Sequence, residues 1–272
     1  MELALLSLPI GILAVLIIGI PIVLAVVILL LVRAWVPYQQ LEPHHDAAGA
    51  IFQGVATLYA IVIAFVVVML WQQFDAASNR VDKEASAVGN LYRGAQTFSE
   101  PMQREVREAV QRYVQAVVED EWRTMAWGEE SLQARQAYGN LWQTIRGVEP
   151  RTPAETGWHF ELLRTMDTLS ELRRGRLSDC QMDLPTPFWI LLIAGACVLI
   201  GYSYLFGIKN VVANVLVVVV LTGLTTALLF MALILDRPFS GGIRLQPSTF
   251  ERQLQSFREQ SQQPTRPLPQ QP

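Results

Sequence analysis

Apolar residues gather into four long runs along this chain, Leu3–Val32, Ala47–Trp71, Phe188–Phe206 and Val211–Leu235, each free of Asp, Glu, Lys and Arg in its interior. Every run reaches the ~18–20 residues a helix needs to cross the hydrocarbon of a bilayer. Four membrane-spanning helices are therefore predicted. Pro9 and Pro21, with Gly11 and Gly19, predict a kink in the first of them, which a membrane helix tolerates where neighbours satisfy the freed carbonyls. That run opens Met1-Glu2 without basic residues, and its apolar stretch is about twice a signal peptide's h-region, so it is read as a retained span.

The second run does not stop at the membrane. Between Gly54 and Val88 no Gly or Pro intervenes, and Val81, Ala85, Val88, Leu91, Tyr92 and Ala95 continue at helical spacing, so one helix is expected from about Ala47 to Phe98. At 1.5 Å per residue it would be roughly 75 Å long. Ser99-Glu100-Pro101 then reads as a stop and restart with Ser99 as cap. Val106, Val110, Tyr113, Val114, Val117 and Trp122 form the apolar stripe of the next helix, which Gly128 ends; Leu132, Tyr138, Leu141, Trp142 and Ile145 define another. Thr152-Pro153-Ala154-Glu155 is a capping box with proline in the first turn, opening a helix with Trp158, Leu162, Met166 and Leu169 on one face.

These helical segments and short turns predict an antiparallel bundle continuous with the membrane part. After the fourth run, Asp236 to Gly242 reads as a turn. Ser248-Thr249-Phe250-Glu251 reads as a second capping box, with Phe250, Leu254 and Phe257 on one face of a short helix. The expected division is 1–72 for the first two spans, 73–185 for a helical domain, 186–236 for the last two spans, 237–259 for a turn and amphipathic helix, and 260–272 for a disordered Gln/Pro tail. The fold class is all-α membrane protein.

Charge adds an orientation. Of 21 Lys and Arg, only Arg33 and Lys209 fall in the connections between the first two and the last two spans. The positive-inside rule then places both termini and the central domain in the cytoplasm, at the inner membrane of the cell. Arg80, Lys83, Arg173, Arg174, Arg176, Arg237 and Arg244 lie within the roughly 15 residues of a span where the rule is strongest. The central region is mildly acidic, 14 basic against 18 acidic residues between Gln72 and Pro185, so nucleic-acid binding has no electrostatic support. Cys180 and Cys197 sit at different depths in a reducing compartment, and no disulfide is expected.

Catalytic chemistry is not signalled. The chain has no Walker loop, dinucleotide-binding glycine pattern, Gly-x-Ser-x-Gly, His-Glu-x-x-His or Cys-x-x-Cys, and His159 reads as a surface residue, so neither an enzyme nor a cofactor is expected. Glu42, His44, His45 and Asp46 cluster before the second span. A metal site there is not expected, because adjacent helical imidazoles point about 100° apart and no second cluster completes the set; a titratable mouth fits better. Within the second span, Asp46, Ala50, Gln53, Thr57, Ala60 and Ala64 recur at spacing 4-3-4-3-4, a stripe suited either to close helix packing or to lining an aqueous path. Phe52 and Tyr59, on a second face, offer a hydrophobic constriction instead. Both faces stay open. In the fourth span, Asn210, Asn214, Thr222, Thr225 and Thr226 are read as interhelical hydrogen-bonding groups. No span contains a formal charge, which disfavours a proton relay, voltage sensor or charge-coupled transporter.

The span Gly54 to Phe65 runs into Asp82-Lys83-Glu84-Ala85 and Gly89-x-x-Tyr92-Arg93, and the chain closes its fourth span with Leu235-Asp236-Arg237-Pro238-Phe239-Ser240-Gly241. In these residues it resembles the bacterial bestrophin-like family over most of its length. The resemblance implies four spans, cytoplasmic termini and a homo-oligomeric, anion-conducting channel lined by the second span, with small anions as its partners. It does not extend to a neck of aliphatic and aromatic residues or an acidic calcium clasp, so calcium gating is not expected. Glu84 and Arg93 are read as lying on one face and tying the bundle together. A non-conducting scaffold on a helical platform is the alternative.

Overall fold

The computed structural model describes residues 10–35, 45–205 and 210–262, and every regular element among them is helical. Among the described residues, four helices are long and apolar enough to cross a membrane. We label the helices α1 (Ile10–Trp35), α2 (His45–Gly94), α3 (Met102–Ala116), α4 (Leu132–Arg146), α5 (Pro153–Asp179), α6 (Thr186–Ser203), α7 (Val211–Leu235) and α8 (Ser248–Gln262). The kink expected in α1 takes the form of a π turn over Val15–Gly19. Pro21 cannot donate to the carbonyl four residues back, and widening the turn before it accommodates the missing bond. Helix α2 runs 50 residues without a break and ends in a 3-10 turn, Ala95–Thr97, close to the length read from its pattern.

The chain divides into two compact units, Met1–Asp75 with Met182–Arg244, and Ala76–Gln181 with Leu245–Pro272. Helix α2 contributes residues to both. In the first unit, α1 sets Ala25 and Leu29 against Val218 of α7, with Ile200, Tyr204 and Val215 around them. Helix α2 sets Ile63, Val66 and Leu70, one helical stripe, against Leu192 of α6 and Ala232, Ile234 and Leu235 of α7. Outside this thin core, Leu24, Leu58, Phe65, Ile190, Leu216 and Leu224 stand exposed. So much uncovered hydrocarbon is untenable in water and ordinary in lipid. The protein is an all-α membrane protein.

The turn after α7 is held from within. The buried Asp236 carboxylate accepts the Leu184 N–H at 2.6 Å, and Phe239 is fully packed. Gly241 takes a left-handed φ of 77°, and a Cβ on Gly242 would stand 2.8 Å from Ile10.

In the second unit α3 continues through a π turn, Val117–Glu121, into Trp122–Met125, and packs on α4 and α8. Val106, Val110, Val114, Leu141, Ile145, Leu162, Met166 and Leu169 form its apolar core. Leu132 and Trp158, grouped from sequence with the apolar faces of their helices, are exposed instead. The Thr152 hydroxyl caps α5 by accepting the Glu155 N–H at 3.1 Å. The Glu155 side chain reaches back to residues ahead of the helix. Its carboxylate accepts the N–H groups of Arg151 and Ser99, the first of which holds its pKa below the ordinary range. Ser99 is thereby a donor to α5 and not the side-chain cap of α3. Helix α8 reaches Gln262, stacks Phe257 on Tyr92 with centroids 4.0 Å apart, and sets Phe250 edge-on to Trp122. Thr249 donates to Asp82.

Candidate functional site

The two faces of α2 proposed from sequence separate cleanly in the first unit. Phe52 stacks on Tyr202 of α6, centroids 5.9 Å apart, and the Tyr59 hydroxyl donates to the Leu192 carbonyl at 3.1 Å. Gly195 of α6 admits the Tyr59 ring, since a Cβ there would lie 2.6 Å from it. This face is the interior of the unit. The other face, Ala50, Gln53, Thr57, Ala60 and Ala64, is exposed along its whole length. A Cβ at Gly54 would meet open space. The Thr57 hydroxyl donates to the Gln53 carbonyl at 2.7 Å, so its proton is satisfied within the helix and its oxygen remains available as an acceptor. The side chain of Asp46 lies outside the described residues, as do Glu42, His44 and the His45 side chain.

Counted at about 100° per residue, the exposed face continues along α2 through Val68, Trp71, Asp75, Asp82, Ser86 and Arg93. These six are exposed as well.

The polar groups of α7 behave differently from expectation. Asn210 caps the helix by accepting the Val212 and Ala213 N–H groups, and Thr226 donates back to the Thr222 carbonyl of its own helix. Interhelical bonds are not how they are satisfied. A helix carbonyl four residues back is always within reach of a threonine hydroxyl, whereas a neighbouring helix must supply a partner by chance of register. The Asn214 Oδ1 and Thr222 Oγ1 atoms are buried without a hydrogen-bond partner among the described residues.

A second polar constellation fills the core of the second unit. Arg176 of α5, fully buried, donates from Nε to Glu84 Oε2 at 2.6 Å and from Nη2 to Glu84 Oε1 at 3.0 Å and Glu121 Oε2 at 2.7 Å. Tyr113 donates to Glu84 Oε1 at 2.7 Å. Arg173 bridges Glu121 at 2.6 Å and Glu130 at 3.0 Å, and Arg135 pairs with Glu130 from outside. The Trp122 and Phe250 rings lie 5.6 and 5.9 Å from the Arg176 guanidinium. Burial disfavours the Arg176 cation, yet Glu84 and Glu121 outweigh it and hold its pKa above the ordinary value; burial and then Glu84 push the Tyr113 phenol up. The hydrogen bond from Arg135 leads in holding Glu130 below the carboxylate range.

Arg173 and Arg176 are thus interior groups, although the sequence offers them as a basic flank. Glu84 and Arg93 do not share a face: nine residues make about two and a half turns, which points them oppositely. Glu84 is buried in the network, while Arg93 is exposed and donates to Asn90 at 2.7 Å. The missed signal was Glu121, four residues before Met125 and on the stripe of Val114, Val117 and Trp122. A carboxylate on an apolar stripe announces a buried partner. Elsewhere, His159 is half-buried and donates from Nε2 to the Ile145 carbonyl at 3.0 Å. Burial raises the Cys180 thiol to about 11, and both cysteines are free.

The bestrophin-like domain model matches residues 19–250. Among solved structures, a point mutant of a bacterial bestrophin homolog from Klebsiella pneumoniae aligns with TM-score 0.69 at 14% identity, over 90% of this chain and 99% of that one. A point mutant described only as a membrane protein aligns with TM-score 0.68 at 13% identity, over 90% and 99%. The Klebsiella pneumoniae homolog phased by Zn-SAD aligns with TM-score 0.66 at 15% identity, over 91% and 100%. No curated protein matches the sequence. The fold is shared with these bacterial bestrophin homologs.

Proposed function

The chain belongs to the bestrophin-like family, and from that premise we propose that it works as a homo-oligomeric ion channel in which copies of α2 turn the Gln53 to Ala64 face toward a shared axis. The observation that carries this reading is the uncovered state of that face. Gln53 and Thr57 are costly against lipid, the unit's own helices leave them bare, and small residues between them leave room for ions and their water. A scaffold built only for packing would hold this stripe against its own α6 or α7, where Phe52 and Tyr59 sit instead. Asp46 belongs at one mouth of the same face. The basic residues flanking the spans support an inner-membrane location with both termini and the second unit in the cytoplasm.

For the permeant ion we carry forward the anion reading that the resemblance implies. A specific observation favours a second one: Asp75 and Asp82 precede Arg93 on the continuation of the face, and carboxylates along a conduit select cations. The test is recording from purified protein in planar bilayers under a salt gradient, with Gln53→Cys and Thr57→Cys in a background lacking Cys180 and Cys197. Thiol reagents are expected to reduce the current at both positions and to spare Leu58→Cys. Absence of current above empty membranes rejects the channel, equal block at Leu58 rejects the assigned face, and the sign of the reversal potential chooses between anion and cation.

A further inference from the structure

The first unit contains a cavity of about 530 Å³ between α1, α6 and α7, independent of the α2 face. Its walls are Leu16 and Ile17 on the π turn of α1, Trp189 and Ile193 of α6, and Leu229 and Leu233 of α7. One end is polar, where Asp183, Asp236 and Arg237 gather beside the start of α6 and the end of α7. Arg237 donates to Asp183 at 3.4 Å, a long contact between side chains that are 27% and 58% exposed.

Three helices long and apolar enough to cross a membrane make the walls, so in a bilayer the cavity lies at hydrocarbon depth. An apolar void of this size is in the range of small-molecule sites and is not a favourable place for water. Its charged end lies where two spans terminate, at headgroup depth. The charges there are of both signs. A guanidinium suits a phosphate and two carboxylates suit an amine, whereas a purely anionic headgroup would meet two carboxylates against one cation.

We propose that this cavity binds one acyl chain of a zwitterionic phospholipid, with the lipid phosphate on Arg237 and its amine on Asp183. Asp236 is a poorer candidate for the amine, because its Oδ1 is occupied by the Leu184 N–H.

The full-length protein is reconstituted in vesicles of equal phosphatidylethanolamine and phosphatidylglycerol, extracted in mild detergent, and weighed by native mass spectrometry, which counts lipids and chain copies together. One phosphatidylethanolamine per chain is expected. Ile193→Trp and Leu16→Trp, filling the cavity from opposite walls, are expected to cut its retention roughly tenfold without changing copy number. Asp183→Asn, an exposed change that preserves folding even if both tryptophan variants fail, is expected to abolish the preference over phosphatidylglycerol. No retained lipid, equal retention in the folded tryptophan variants, or a preference unmoved by Asp183→Asn overturns the proposal. So does loss of copies in the tryptophan variants with lipid unchanged, which would seat a second chain in the cavity.

Discussion

The two units solve opposite problems with the same element. The first hides little and exposes hydrocarbon, leaving Gln53 and Thr57 on one bare face of α2 and bonding Thr226 back to its own helix α7. The second exposes polar groups and fully encloses the ions Glu84, Glu121 and Arg176. Where the surrounding solvent is lipid, shape alone has to register the helices, through fits such as Tyr59 into Gly195. Surrounded by water, a helical unit can register itself with charge, since a bidentate pair tolerates no slip of a turn.

That contrast can be broken most severely in the charged core. Arg176→Met leaves the buried Glu84 carboxylate without a cation and Glu121 with Arg173 alone, and removing one partner of a buried ion pair costs about 3–5 kcal/mol; chemical denaturation in detergent should show the loss. Replacing Glu84, Glu121 and Arg176 together by apolar residues of similar volume should recover most of it. If the triple variant is as unstable as the single one, register by charge is the wrong account.

A smaller effect is expected in the lipid-facing unit. Gly195→Leu drives a side chain into the Tyr59 ring, and such overpacking costs about 1–3 kcal/mol, read as a lower melting temperature in detergent. Gly54→Leu has open space before it and should leave melting unchanged while reducing current, which separates the inner face of α2 from the bare one.

The smallest effect is acidic. Glu130 has its folded pKa depressed by Arg135, so the unfolded chain binds its proton more readily and the stabilisation present above the ordinary carboxylate pKa fades as pH falls through the lower folded value. Glu130→Gln should flatten that part of an acid stability curve, measured by tryptophan fluorescence, by lowering stability slightly at neutral pH and leaving strongly acidic pH unchanged, a small effect because the group is partly exposed.

How much of this was readable from the chain depends on which solvent each residue faces. The four spans and the unbroken α2 follow from simple rules of length and charge, and Thr152-Pro153 marks the start of α5 because a cap is a local contact. Phe52 and Gln53 were equally plausible on either side of α2, since hydropathy distinguishes lipid from water and not one helix neighbour from another. Arg173-Arg174-Gly175-Arg176 looked like a membrane flank, and only the carboxylates of α2 and α3, 92 and 55 residues from Arg176, turn it inward. Such pairings are set by tertiary register and leave no trace in local spacing.

The ion pairs of Arg176 also impose an order of assembly during synthesis. Glu84 and Glu121 emerge from the ribosome well before Arg173 and Arg176, the α5 residues that pair with them. Until α5 has been translated the nascent helices hold two uncompensated carboxylates where their core should close, so the water-facing unit cannot complete its fold one hairpin at a time and must wait for its last long helix.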